Sequence, residues 1–263
     1  MSDVTAAAPL PRSLSVVGDA LTMAGRGLRL SVRNLDALLT SLMLPVMLMV
    51  VFVYLFGGAI NTGTSYLTYV VPGVLLLCAG FGSATTAVSV SQDMTGGIID
   101  RFRSMDVGGA AVLTGHVAAS LARNTASTVL VFAVALLMGF RPEAGLAGWL
   151  GAVGVVLLFI LAISWLAAAV GLLAKSPKAA GGFSFVVMFL PYASSAFVPV
   201  ETMPSAIRGF AEHQPVTPII ETIRGLLLGT PVGTSGWVAV AWCGAILAAS
   251  VLLARALFAR RTG

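Results

Sequence analysis

Apolar residues dominate this chain in long blocks separated by short polar segments. Six blocks are long enough to matter: Leu38 to Phe56, Leu67 to Val90, Ala119 to Phe140, Leu146 to Leu173, Phe183 to Val200 and Trp237 to Phe258. A helix crossing the hydrocarbon of a bilayer needs about 20 mostly apolar residues, because each adds about 1.5 Å to a core about 30 Å thick. The blocks meet that length, the fifth being short and interrupted by Pro191. Backbone polar groups in lipid must bond internally, and no ten-residue alternating segments of the kind that build membrane barrels occur, so the blocks predict helices. The expected fold is an all-α integral membrane protein. It has six transmembrane helices over residues 38–258, a cytoplasmic tail with an interfacial helix at 1–37, and a short cytoplasmic tail at 259–263.

The segments between the blocks carry their own patterns. Around the first block's start, Val17, Leu21, Leu28, Leu35 and Leu39 recur with Arg26, Arg29 and Arg33 beside them. That pattern predicts an amphipathic helix lying on anionic lipid headgroups, although Gly25 and Gly27 weaken a long continuous one. Between the second and third blocks, Ser91 to Asp106 holds Asp93, Asp100, Arg101, Arg103 and Asp106 in a chain that is only 10% charged. There Met94, Ile98, Phe102 and Met105 fall at i, i+4, i+8 and i+11, one face of a helix that needs a partner. Residues 200–236, between the last two blocks, mix Ile207, Phe210, Ile219, Ile220 and Ile223 with charges and are divided by Pro204, Pro215 and Pro218. Two short helices dipping back into the outer membrane edge account for both features.

Composition sharpens the class. Hydrophobic residues make up 58% of the 263 residues, and the mean hydropathy is +0.98. The net charge of +5 comes from basic residues that form no long cluster, so nucleic acid is not expected as a partner. With the N-terminus inside, cytoplasmic segments hold Arg12, Arg26, Arg29, Arg33, Arg101, Arg103, Lys175, Lys178, Arg255, Arg260 and Arg261. Outer segments hold Arg141, Arg208 and Arg224. Basic residues concentrate on the cytoplasmic side, which predicts both termini inside and a multi-pass protein of the plasma membrane. No cleavable leader pattern precedes the first block. Cys78 and Cys243 both lie within apolar blocks and predict packing rather than a disulfide or metal site.

Candidate chemistry is sparse. Ala169 to Ser176, AVGLLAKS, ends like a phosphate loop but has alanine where both glycines are required, so backbone amides cannot surround a phosphate. His116 and His213, on opposite sides of the membrane, have no nucleophile or base arrangement around them, so no catalytic, cofactor or metal residues are assigned. On the third block His116, Ser120, Arg123 and Ser127 share a face, with Asn124 adjacent. Ser120, Arg123 and Asn124 are candidates for a polar lining near an inner mouth; snorkelling or structural pairing of Arg123 is the simpler alternative. Gly148, Gly151 and Gly154 recur every three residues and predict close helix packing, within one bundle or between two copies. Glu201, Glu212, His213, Glu221 and Arg224 are candidates for an exit-side gate. An exposed Glu221 and Arg224 pair at i, i+3 is the plainer reading there.

Two stretches resemble a known family. QDMTGGIIDRFRSM, Gln92 to Met105, and SSAFVPVETMP, Ser194 to Pro204, continuing into FAEHQPVTPIIETIRGLLLG, Phe210 to Gly229, are similar to the permease subunits of type-2 ATP-binding-cassette exporters of the daunorubicin-resistance type. The resemblance extends from about Leu14 onward. It implies a bacterial exporter permease moving a hydrophobic or amphipathic compound, with no ATPase site of its own. ATP and Mg would be bound by a separate cytoplasmic ATPase, present in two copies beside a second copy of this permease or a close homologue. It also implies that residues 92–106 form a coupling helix docking on the ATPase through Asp93, Gly96, Gly97, Asp100, Arg101 and Arg103, with Ile98, Phe102 and Met105 packing against membrane-side helices or the ATPase groove. The family's proline after Met105 is Asp106 here, a residue that can cap the next helix. Export of a lipid or lipid-linked glycan is an alternative cargo class. A membrane sensor or immunity protein that moves nothing is an alternative of another kind.

Overall fold

The computed structural model describes residues 35–96 and 109–262, and every element described is helical. The helices are α1 (Leu35–Val51), α2 (Tyr66–Thr95), α3 (Gly109–Leu137), α4 (Leu146–Leu173), α5 (Pro177–Gly181), α6 (Phe183–Tyr192), α7 (Ser205–His213), α8 (Val216–Leu228) and α9 (Ser235–Thr262). A π-helical turn, Phe52–Phe56, extends α1, and a 3-10 turn, Val200–Thr202, precedes α7. Among the described residues, four helices are long and apolar enough to cross a membrane: Tyr66–Thr95, Val112–Leu137, Leu146–Leu173 and Ser235–Phe258. Residues 1–34 of the expected tail and interfacial helix, and residues 97–106 of the expected coupling helix, lie outside the described residues, whereas Leu35 onward belongs to α1.

The bundle is organised around α2. Val70, Val71, Val74, Leu75, Leu76 and Leu77 are all buried, on every side of the helix. A helix apolar all round belongs in the middle of a bundle, and α2 packs against α1, α3, α4, α5, α6 and α8. Ser65 starts it, its Oγ accepting the Thr68 amide at 3.3 Å, and the helix runs on to Thr95. Residues 92–95, where the coupling helix was expected to begin, therefore continue the span. α9 packs along α4, and α8 is inserted between α4, α9 and α2.

The fifth apolar block is not one helix. Ser176 caps α5, its Oγ accepting the Ala179 amide at 3.2 Å with Pro177 in the first turn. The chain breaks at Gly182, resumes as α6 and ends at Tyr192, just past Pro191. Proline clashes with the preceding turn and offers no amide, so the block from Phe183 delivers one short helix, α6, and a buried turn through Ser194 to Phe197, with α5 lying before it.

Glycines set the closest crossings. A Cβ on Gly148 would lie 2.6 Å from the Leu226 carbonyl oxygen, and one on Gly151 would lie 3.2 Å from the Leu226 side chain, whereas Gly154 meets nothing. The glycine repeat thus receives α8 of the same chain. At the end of α8, Gly229 adopts φ 66°, a left-handed cap that a side chain would strain.

Candidate functional site

The two ends of the bundle carry different chemistry. At the end adjoining residues 97–108, α2 closes with the Gly96 amide on the Gln92 carbonyl at 2.8 Å. Thr95 Oγ1 donates to the Ser91 carbonyl at 2.9 Å. In this last turn Asp93 Oδ2 meets His116 Nε2 of α3 at 2.9 Å, both side chains about three-quarters buried (21% and 25% exposed). An acidic residue in the last turn opposes the helix dipole at a cost of about 0.3–1 kcal/mol, so helix stability does not account for Asp93. Beneath the pair, Val90 on α2, Leu113 and Val117 on α3, Ala168, Ala169 and Leu172 on α4 and Ala254 on α9 form a separate apolar cluster. Of the residues assigned to ATPase coupling, Asp93 and Gly96 are described, and Asp93 faces His116. Gly97, Ile98, Asp100, Arg101, Phe102, Arg103 and Met105 lie outside the described residues.

Deeper in the bundle a polar network joins three helices. Thr86 Oγ1 on α2 donates to Ser120 Oγ on α3 at 2.8 Å, and Ser120 Oγ lies 2.9 Å from Ser164 Oγ on α4. Asn124 Nδ2 donates to Ser83 Oγ at 2.9 Å and to Ser120 Oγ at 3.2 Å. Asn124 fits against bare backbone at Gly82, where a Cβ would overlap its Oδ1. Arg123 Nη2 donates to Thr85 Oγ1 at 2.9 Å, Thr86 Oγ1 at 3.0 Å and the Gly82 carbonyl at 3.3 Å. Ser120 and Asn124 are thus fully buried between helices, and Arg123 is tied laterally to α2.

Sequence reasoning passed over the exposed polar edge of α2. Thr85 and Gln92 are exposed and Ser89 half-buried, spaced i, i+4, i+7 on a helix otherwise mostly buried. Their signal was the same helical spacing applied to α3, but serine and threonine within a span bond readily to their own helix and attract little notice. Here Ser89 Oγ donates to the Thr85 carbonyl at 3.0 Å.

The opposite end is a cap built from α7, α8 and the turn after α6. Arg224 Nη2 donates to the Ser195 carbonyl at 2.7 Å and the Tyr69 carbonyl at 3.1 Å, and Arg224 Nε also reaches the Tyr69 carbonyl at 3.2 Å. Its guanidinium carbon stands 3.8 Å from the centre of the Tyr69 ring. The expected exposed pair of Glu221 with Arg224 does not form: buried carbonyls and an aromatic face hold Arg224 inward, and Glu221 accepts from Ser235 Oγ at 3.1 Å. Gln214 Nε2 donates to the Leu190 and Ala193 carbonyls at 3.1 Å each, and Tyr66 Oη donates to the Phe197 carbonyl at 2.9 Å. These bonds satisfy the carbonyls left open where α6 breaks. Glu201, Glu212 and His213 are exposed. Glu212 binds Arg208 Nε at 2.8 Å and pushes that guanidinium's pKa up, while His213 Nδ1 lies 2.9 Å from the Gly209 carbonyl.

An apolar groove of about 170 Å³ opens between α3 and α4. Thr125, Val129 and Phe132 line one wall, Trp149 and Val156 the other, with Leu75 and Ile223 below. Among the described residues no three His, Cys, Asp or Glu side chains gather as a metal site would require.

This helical membrane architecture belongs to a defined family. Residues 19–228 match the ABC-2 type transporter family, and the chain is a member of it. It is 31% identical over 195 residues to a daunorubicin resistance ABC transporter permease protein of Streptomyces coeruleorubidus, covering 73% of this chain and 69% of that one. It is 27% identical over 218 residues to a probable doxorubicin resistance ABC transporter permease protein of Mycobacterium tuberculosis, covering 82% and 79%. The chain is a multi-pass permease subunit, and its family implies a separate ATPase partner.

Proposed function

We propose that this chain is the membrane half of an ATP-driven exporter that moves amphipathic, drug-like compounds of the anthracycline kind out of the cell. The observation that carries the reading is similarity, over most of the chain, to two permeases named for resistance to daunorubicin and doxorubicin. The largely apolar groove and the absence of an acidic or basic ladder along the described spans fit such a cargo better than an ion. Six crossings complete the topology, with α1 and its π-helical turn as the first and the broken pair α5 and α6 as the fifth. Both termini are cytoplasmic. The cap of α7 and α8 lies at the outer edge, with α8 re-entrant.

Within the coupling segment 92–106 the part from Gly96 onward receives the ATPase, Asp93 being turned to His116 instead, and two permeases work with two ATPases that bind ATP and Mg. Nucleotide binding shifts the equilibrium between inward- and outward-open forms, which requires that the docked ATPase favour one form over the other. The permease's own part is a bundle rigid enough to transmit that preference. The cap at the outer end, held by Arg224 and Gln214, is the element that must yield for release.

Reconstitution with the partner ATPase in liposomes tests the reading directly. ATP-dependent daunorubicin movement is expected, and none by the wild-type complex overturns the export assignment. Replacing Asp100 and Arg101 together with alanine is expected to abolish both ATPase co-purification and export. Retained export with an intact complex overturns the docking assignment.

A further inference from the structure

The geometry points to Asp93 and His116 as a clasp that makes α2 and α3 respond as one unit to movement of the segment between them, and so as positioning residues for coupling. Two helical triplets share a pattern: Val90, Asp93, Met94 on α2 and Leu113, His116, Val117 on α3. In each, the flanking apolar residues join one cluster with α4 and α9, and the middle residue meets its counterpart across the helix pair at 2.9 Å. Apolar contacts are non-directional, and on their own they let one helix end slide past another at little cost. A hydrogen bond between largely buried groups is directional and resists that slide.

The placement singles the pair out. Asp93 lies four residues before residue 97 and His116 eight residues after residue 108, so the bond joins the two helices on either side of the intervening segment. Force applied to the intervening segment is then shared by both helices and passed through Val90, Leu113, Val117, Leu172 and Ala254 to α4 and α9. With the bond absent, the same force can be absorbed by displacement of one helix end. Asp93 therefore acts through His116 rather than by touching the ATPase. This inference rests on the proposed docking of the ATPase on the same segment.

The test uses the full permease with its ATPase in liposomes, measuring ATP hydrolysed and daunorubicin moved in the same preparation. Asp93→Ala and His116→Ala are expected to keep the ATPase bound and hydrolysing, while daunorubicin moved per ATP falls about five- to tenfold, the scale of a typical coupling between sites. Exchanging the two residues, Asp93→His with His116→Asp, is expected to restore the ratio to within about twofold, because the bond re-forms; the double alanine variant should be no worse than either single one. An unchanged ratio in both alanine variants overturns the clasp. So does loss of the protein from the membrane that the exchanged pair fails to recover, since the two residues would then be needed for something other than this bond. If the wild-type complex moves no daunorubicin, the export reading itself fails and the clasp falls with it. If the alanine variants lose the ATPase altogether, Asp93 is a docking residue and the clasp is wrong.

Discussion

Replacing Arg224 with alanine removes a side chain that joins α8 to both α2 and the turn after α6. The structure allows the cost to be worked out. Two carbonyls are involved, those of Tyr69 and Ser195, and a hydrogen bond to a charged donor contributes about 1.5–3 kcal/mol. The guanidinium over the Tyr69 ring adds about 0.5–2 kcal/mol. Against these stands the cost of keeping a charge out of water, several kcal/mol, which alanine relieves. The net expectation is a loss of about 2–4 kcal/mol, because the Ser195 carbonyl, in a buried turn, is left without its donor.

The assay is heat inactivation of the purified permease in detergent, followed by the fraction remaining monodisperse. At about 2–4 °C per kcal/mol for a protein of this size, the transition should fall by on the order of 5–15 °C. Two further variants apportion the effect. Tyr69→Leu keeps the carbonyl and removes only the ring, and should cost about 1 kcal/mol. Arg224→Lys keeps the charge but cannot reach two carbonyls as a planar fork, and should fall between. An Arg224→Ala variant as stable as wild type would refute the reasoning, and equality with Tyr69→Leu would show that the carbonyl bonds contribute nothing.

The remaining predictions concern packing inside the bundle. Gly148→Ala should destabilise by about 1–3 kcal/mol in the same heat assay, since the new methyl group meets the Leu226 backbone, which cannot swing away as a side chain can. Gly154→Ala, facing open space, should be neutral or slightly stabilising, and equal effects at the two positions would sink the assignment of the glycine repeat to α8. Asn124→Ala should cost about 1–2 kcal/mol by cutting the links to Ser83 and Ser120, near the upper range for polar contacts between membrane helices. Unchanged stability would mean that Ser120 re-forms the network with Thr86 and Ser164 alone.

Most of the candidate site was visible as residues but not as pairs. Arg123 and Asn124 stood out because charge and amide groups are rare within a span, and α3 alone predicted that they share a neighbourhood with Ser120. What they face was not legible, since helical spacing describes one helix and says nothing about the neighbour. His116 looked isolated because no nucleophile or base arrangement lies near it along the chain; its partner lies on another helix. Glu221 and Arg224 looked paired for the same reason, and the local rule failed because Tyr69, 155 residues away in sequence, offered the better site.

The sequence by itself determined that the chain is a helical membrane protein, where its long spans lie, and that it carries family motifs in the segment after α2 and in the segment after α6. Those are one-dimensional properties: apolar length is set by bilayer thickness, and proline breaks a helix wherever it falls in its interior. Only the tertiary structure decided that α2 is the central helix, that the glycine repeat receives α8, and that Asp93 meets His116. These depend on which helix faces meet, and a crossing is chosen by side-chain fit over the whole interface rather than by any one segment.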